Sequence, residues 1–453
     1  MGNPERESAR MSTHRPAPTT WTGIARQLGP GLIMSAIIVG SGELIVTPKL
    51  GAAHGFTLLW FIVVGCVLKV FVQVELGRHA LAKGVTTLEA MDGIPGPRLV
   101  VSWLVWLWLA MYVALVFQVA GMVGGLADIF SLAGAPVPPG WLAVLVGAVT
   151  AILLVIGRYR FIEGFSTALV ALFTLSTVVA VALLQSTPFA VTAAQVIDGF
   201  RFRVPGSFNT AFAAFGIIGV GASELVYYPY WCLEKGYGRS VGPNDGSPEW
   251  QARARGWLRV MGVDAWVSFA LYTTATLAFY VLGAAILHAK GLVVEDRRMI
   301  ETLSHMYQET FGEWSLWIFL AGAFAVLFST VFGATASNAR LFADALTVFK
   351  IKKYPTAEHR ARMVRFACVL LPAAFTTVYL VFGAPVSLVF VGALAQGLML
   401  PFLAGAALHF RFRQTEPALR PGRLWTAALF LSALSMAAAG LYQVVDQVRR
   451  MVR

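Results

Sequence analysis

Two carboxylates sit where a carboxylate is costly. Glu43 lies in the hexapeptide "VGSGEL" (Val39 to Leu44), and Glu224 lies in a near copy, "VGASEL" (Val220 to Leu225). Each hexapeptide is embedded in a long apolar run. An ionisable side chain deep in apolar surroundings is expensive to keep and points to function. Two carboxylates, joined by the hydroxyls of Ser41 and Ser223 and by unwound backbone carbonyls, form an oxygen-rich set. Such a set suits a hard divalent cation such as Mg²⁺, Mn²⁺ or Ca²⁺. Glu43 and Glu224 are therefore the candidate metal ligands. Gly40, Ser41, Gly42, Val220, Gly221 and Ser223 surround them, the glycines loosening the backbone, and Gln396 in a later apolar run faces the same site. A Glu in the first turn after a Ser is also a helix N-terminal cap, held by free N–H groups and the helix dipole. The sequence leaves both readings open.

The elements that must position these groups are membrane spans. The chain of 453 residues is 57% hydrophobic and only 13% charged, against about 25% charged in a soluble domain. A spanning helix needs roughly 20 mostly apolar residues. Eleven such runs occur, at 28–53, 56–77, 99–123, 140–157, 161–184, 208–232, 258–287, 314–346, 364–382, 385–409 and 424–445. They are called spans 1 to 11. Lys and Arg then set the orientation: 24 fall on one side and eight on the other when the N-terminus is cytoplasmic, which places the N-terminus inside and the C-terminus outside. The expected location is a bacterial inner (plasma) membrane.

The two hexapeptides fall midway along spans 1 and 6. Spans 1–5 and 6–10 form two halves with an odd number of spans each, so the halves must be oppositely oriented. In such inverted repeats the first helix of each half is broken near the midplane and builds the substrate site. The expected organisation is a disordered cytoplasmic tail (1–25), a first five-helix repeat (26–184), a second (185–410) and an additional C-terminal helix (411–453). The fold class is an all-α polytopic membrane protein with a 5+5 inverted repeat and broken helices 1 and 6.

Other intramembrane polar residues carry weaker signals. Gln118, Asp264, Arg340 and Asp344 are candidate pathway residues. Arg340 and Asp344 are spaced to pair along one helix face, and Asp264 lies close enough to Arg259 to sit at the inner interface. Lys69, Glu75 and Arg78 on span 2 read as snorkelling or locally paired side chains. The run "WLVWLWL" (103–109) reads as a lipid-facing or interfacial surface, and 291–313 reads as an external amphipathic helix over the mouth.

Several classes are excluded. The net charge of +12 sits in short loops between spans, as an orientation signal does, so no nucleic acid is expected. Cys66, Cys232 and Cys368 lie in or beside apolar runs without a CxxC pair, which reads as small buried thiols rather than a disulfide or zinc framework. The seven histidines lie at span ends or in loops. No P-loop, GxGxxG or GxSxG is present, so neither ATP-driven transport nor a membrane enzyme is supported.

The motifs carry a family resemblance. "GPGLIMSAIIVGSGE" (29–43) resembles the first-span signature of the Nramp metal-ion transporters, which runs Gly-Pro-x-x-x-x-Ser and ends Asp-Pro-Gly-Asn. "GAAHGFTLLW" (51–60) is similar to that family's Gly-Ala-x-x-Gly-x-x-Leu-Leu-Trp. Gln73 and Arg78 keep its second-span spacing, and "RYRFIEGF" (158–165) resembles the entry to its fifth span. "GIIG" (216–219), "STVFG" (329–333) and "LPF" (400–402) match its spans 6, 8 and 10. The resemblance runs in order along most of the chain and implies the LeuT-type architecture. It departs at the chemistry. The family's metal-binding first-span Asp and Asn are Gly40 and Glu43 here. Its sixth-span Met-Pro-His becomes Ser223, Glu224 and Leu225, and its acidic pair in span 3 becomes Leu115 and Gln118. Loss of the soft thioether shifts the expected preference towards Mg²⁺ or Mn²⁺ and away from soft transition metals. Loss of the His and the acidic pair removes members of the family's proton pathway.

The expectation is a secondary-active transporter of a divalent metal cation working by alternating access. It needs no resident cofactor, and its partners are the metal ion or a small solute and the lipid bilayer. Uniport or weak coupling is expected, with a Na⁺ or H⁺ cycle left open. An organic-solute symporter for an amine is the alternative, and a transport-inactive membrane sensor or scaffold is a third class. The sequence carries no signal for oligomeric state.

Overall fold

A computed structural model describes residues 14–157, 159–204 and 209–452. Every span is helical. Span 1 runs Pro30–His54 in three pieces: an α-helix Pro30–Ile38, a π-helical stretch Val39–Val46 and an α-helix Thr47–His54. A 3₁₀ turn at Gly55–Leu58 leads into span 2, Leu59–Lys83. Spans 3, 4 and 5 are Trp103–Leu132, Pro139–Ile156 and Tyr159–Leu183. Span 6 is two helices, Asn209–Ile217 and Ala222–Glu234. Span 7 is Pro248–Leu282 extended by a π turn, Gly283–Leu287. Spans 8 to 10 are Ser315–Val348, Ala357–Phe382 and Pro385–His409, and span 11 is Arg423–Val452. The only strand pairing among the described residues is a two-residue ladder, Arg98–Leu99 with Val101–Ser102, just before span 3.

Local sequence sets the ends. Proline stands in the first turn of spans 1, 4, 7 and 10, where its missing N–H costs no hydrogen bond. Ser102 and Ser247 cap spans 3 and 7 with their hydroxyls, satisfying amides that have no partner within the helix. Gly84, at φ 67°, ends span 2 in the left-handed conformation glycine adopts without strain.

The spans are not equally enclosed. In span 6, 94% of the apolar window is buried, against 28% in span 4, 39% in span 9 and 22% in span 11. Span 6 is therefore the axis of the bundle, and spans 4, 9 and 11 form its apolar rim. Exposed side chains such as Trp141, Leu172, Trp317, Val381 and Leu434 supply the outer surface a bilayer requires.

Two expectations change. Residues 14–25, placed by composition in a disordered tail, are docked: Thr20 caps a short helix Trp21–Ala25, and Trp257 Nε1 donates to Arg15 O at 2.9 Å. Residues 1–13 of that tail lie outside the described residues. The tryptophan run is only partly a lipid surface, since Trp108 is buried and Trp106 is exposed. The segment 291–313 does contain a helix, Met299–Phe311, which buries Met299, Ile300, Leu303, Met306 and Tyr307. Arg158 and the side chains of Tyr159–Glu163, part of the motif leading into span 5, lie outside the described residues.

Candidate functional site

The site is built around the break in span 6. Its first helix stops at Ile217, and Gly219 takes φ +63°, a conformation that is strained for any residue with a side chain. Gly221 then stands extended at φ −79°, ψ 176° as the cap of the second helix. Four residues of unwound backbone deep in a bundle must find hydrogen-bond partners from elsewhere.

Spans 1, 2 and 10 supply them, with support from spans 3 and 7. Lys69 of span 2, fully buried, donates its ammonium to Phe215 O and, at 2.7 Å, to Ile218 O. Glu43 of span 1 accepts the Gly219 amide at Oε1, 2.9 Å. Thr276 of span 7 places its hydroxyl 2.7 Å from the same oxygen and 2.7 Å from Tyr272 O, so its one proton serves either acceptor. Gln396 of span 10 accepts from Ser223 N at 2.8 Å and Ser223 Oγ at 2.9 Å. Its amide Nε2 donates to Gln118 Oε1 of span 3 at 2.8 Å.

Glu43 therefore does cap a helix break, but in the opposite half of the molecule rather than in its own span. It also lies inside the π-helical stretch and does not open a second half-helix. Its other oxygen, Oε2, is buried without a hydrogen-bond partner among the described residues. Glu224 is buried in the first turn of the second helix of span 6. Its Oε2 and Gln396 Oε1 each lie 2.5 Å from the point a Cβ on Gly221 would occupy, and Gly216 O lies 3.0 Å from it. A carboxylate, an amide oxygen and a main-chain carbonyl thus crowd one glycine. Val220 is buried and contributes only apolar surface. The side chain of Ser41 lies outside the described residues.

The span 1 glycines act by close approach rather than by unwinding. A Cβ on Gly42 would meet Ile217 O at 2.7 Å, so spans 1 and 6 touch backbone to backbone there. A Cβ on Gly40 would meet Thr330 Oγ1 of span 8 at 1.9 Å. Thr330 donates to Ile37 O at 2.9 Å, a carbonyl just ahead of the π stretch. The wider winding also leaves Thr47 to donate both its N–H and its hydroxyl to Gly42 O.

The weaker candidates separate. Gln118 joins the site through Gln396. Asp264 is buried and accepts Gly29 N at 2.9 Å, Gly31 N at 2.6 Å and Tyr228 OH at 3.1 Å, so it clamps the start of span 1. Arg340 and Asp344 do not pair with each other. Arg340 binds Glu234 at 3.1 Å, and Asp344 takes Arg360 bidentately at 2.6 and 2.9 Å, because each has a partner on a neighbouring element. Glu75 and Arg78 pair locally at 3.2 Å, and Glu75 also accepts Trp425 Nε1 of span 11 at 2.7 Å. Lys69 overturns its snorkelling reading. Its place near the middle of span 2 was the available signal, since a side chain that deep cannot bring its charge to either interface. Thr276 gave no signal, as a threonine in an apolar helix ordinarily bonds its own helix.

Among the described residues no three His, Cys, Asp or Glu side chains cluster as a metal site. A cation at the break would rely on the two carboxylates and neutral oxygens.

The described residues form an all-helical bundle wrapped about a broken span 6, its break lined by carboxylates and amides, which is the LeuT-type fold. The comparisons with known proteins agree. A crystal structure of a mutant of the Eremococcus coleocola manganese transporter superposes with a TM-score of 0.68 at 15% identity, covering 96% of this chain and 90% of that one. Mhp1, a nucleobase-cation-symport-1 family transporter in a closed conformation, does so with a TM-score of 0.57 at 16% identity over 95% of both chains. The family model "Natural resistance-associated macrophage protein-like" (Nramp) matches residues 31–446, and the chain belongs to that family. Relatives include an uncharacterized protein of Pasteurella multocida, 23% identical over 77% of each chain. Another is the divalent metal cation transporter MntH of Caldanaerobacter subterraneus, 25% identical over 67% of this chain and 68% of that one.

Proposed function

We propose that this protein is a secondary-active transporter of a divalent metal cation, that it works by alternating access in a bacterial inner membrane, and that it favours hard ions such as Mg²⁺ or Mn²⁺. The observation that carries the proposal is the pair of buried carboxylates on spans 1 and 6. One has an oxygen with no hydrogen-bond partner among the described residues, Glu43 Oε2, and the other stands beside Gln396 Oε1 and Gly216 O. Family membership and the names of the MntH relatives support the metal reading. The hard-ion preference rests on donor chemistry: the carboxylates of Glu43 and Glu224 and the amide oxygen of Gln396 are hard donors and the hexapeptides hold no methionine sulfur, while the Cys66 thiol beside Gly219 is the soft group at the break. Alternating access is supported by the close backbone approach of spans 1 and 6 at Gly42, whose Cβ position lies 2.7 Å from Ile217 O.

The test is uptake into proteoliposomes of Mg²⁺, Mn²⁺, Ca²⁺ and Cd²⁺, with small amines in parallel. Wild type is expected to carry Mg²⁺ or Mn²⁺ in preference to Cd²⁺. Glu43→Gln and Glu224→Gln each keep an acceptor oxygen and lose the charge, so both are expected to fold and to lose uptake by about tenfold or more, the effect of about 1.4 kcal/mol of lost binding. Uptake retained at wild-type rates in both variants would remove the carboxylates from the substrate site. Uptake of amines without metals would replace the metal by an organic cation, and no uptake of either would favour a sensor or scaffold.

A further inference from the structure

The span 6 break contains a cation that belongs to the chain itself. The first helix of span 6 ends at Ile217, and its last carbonyls point out of the helix with the negative end of the helix dipole behind them. In broken-helix transporters such carbonyl ends are where a free coupling ion is coordinated. Here the Lys69 ammonium donates to two of these acceptors, Phe215 O and Ile218 O, and stands 4.6 Å from the centre of the Phe215 ring. Lys69 has no solvent exposure, and its ionisable neighbours are Cys66 on its own span, Glu43 and Glu224.

A neutral filler would not do the same work. A methionine in this place would leave both carbonyls without donors and the two carboxylates without a fixed counter-charge, and buried unpaired polar groups are costly. Lysine also brings what a free ion cannot: the seat is filled at every concentration of Na⁺ or K⁺, because the ligand is tethered.

We propose that Lys69 is the resident monovalent cation of this transporter. Its ammonium occupies the carbonyl seat at the end of the first half of span 6, so the break requires no Na⁺ or K⁺, and it offsets one of the two carboxylate charges before any substrate arrives. The assignment concerns the protein's own charge and holds whichever solute is carried, so its test is independent of transport.

The experiment is thermal unfolding of the purified full-length protein in detergent. Lys69→Ala deletes the three outer methylenes and the ammonium, leaving a cavity that n-propylammonium matches in shape and charge. The variant is expected to lose about 5 °C or more in Tm. n-Propylammonium chloride is expected to restore at least half of the loss, whereas tetramethylammonium chloride at equal ionic strength and uncharged n-propanol restore none. Equal rescue by n-propanol would mean that Lys69 only fills space and would overturn the proposal. If Lys69→Ala yields no folded protein, Lys69→Met decides. It fills the volume without the charge and is expected to unfold well below wild type, and a wild-type Tm for it would overturn the assignment. Wild type itself is expected to show one Tm in sodium, potassium and choline chloride. A rise specific to sodium or potassium would show that the seat is open to free ions and would also overturn it.

Discussion

Gln396 shows how much rests on single side chains at the break. Its one carbonyl oxygen accepts both donors of Ser223, and its amide donates to Gln118. Gln396→Leu keeps the volume and removes the acceptor of the buried Ser223 amide and hydroxyl and the donor to Gln118. Leaving a buried polar group unmade costs about 1–3 kcal/mol, so a clear fall in Tm is expected, with Gln396→Glu falling less because it restores the acceptor for Ser223. Equal stability for the two variants would remove Gln396 as the cap. At this scale the sequence exposed the carboxylates through their apolar surroundings, and Gln396 and Ser223 by position. It hid their partners. Nothing in "VLKVFV" says that Lys69 will meet carbonyls of span 6, and nothing near Asp264 says that it will cap Gly29 and Gly31, because both contacts exist only after distant spans pack.

At the scale of elements, the spans were legible because an apolar run of membrane length leaves few alternatives, and the span 6 break was legible in "GIIGVGASE" because glycines bracket it. The π-helical winding of "VGSGELIV" was not, since the glycines that invite a break also permit close packing, and packing decided the outcome. That packing makes a prediction. Gly40→Ala drives a methyl into Thr330, and overpacking of this kind costs about 1–3 kcal/mol. Thr330→Ala removes the nearest obstacle, the hydroxyl, and leaves the Cβ 2.5 Å away, so the double variant is expected to recover part of the loss and to be more stable than the sum of the two single losses. A double-mutant cycle on Tm measures the coupling, and strict additivity would show that spans 1 and 8 do not meet there.

At the scale of the molecule, an odd number of spans would put the termini on opposite faces, and from the bias of Lys and Arg we propose that the N-terminus is cytoplasmic. An alkaline phosphatase fused after Arg449 is expected to be active and one fused after Lys353 inactive, with green fluorescent protein fusions showing the reverse pattern. Fluorescence at the C-terminus would invert the assignment or remove a span. The enclosure of span 6 and the exposed rims of spans 4, 9 and 11 follow the same plan: the chain spends its polar groups on the axis and its apolar side chains on the lipid.

The π stretch of span 1 has a meaning in terms of descent. A π turn closes its hydrogen bond one residue later than an α turn does, which is the trace a single inserted residue leaves in a helix. Were the same eight residues wound as a regular α-helix, everything on one side of the stretch would turn against the other, since an α turn takes fewer residues than a π turn. Glu43 meets the Gly219 amide because of that register. The address of the carboxylate is therefore set by the winding between Ile38 and Thr47 as much as by the identity of the residues there, which is why a residue inserted at such a point of a helix can alter a site while leaving its side chains unchanged.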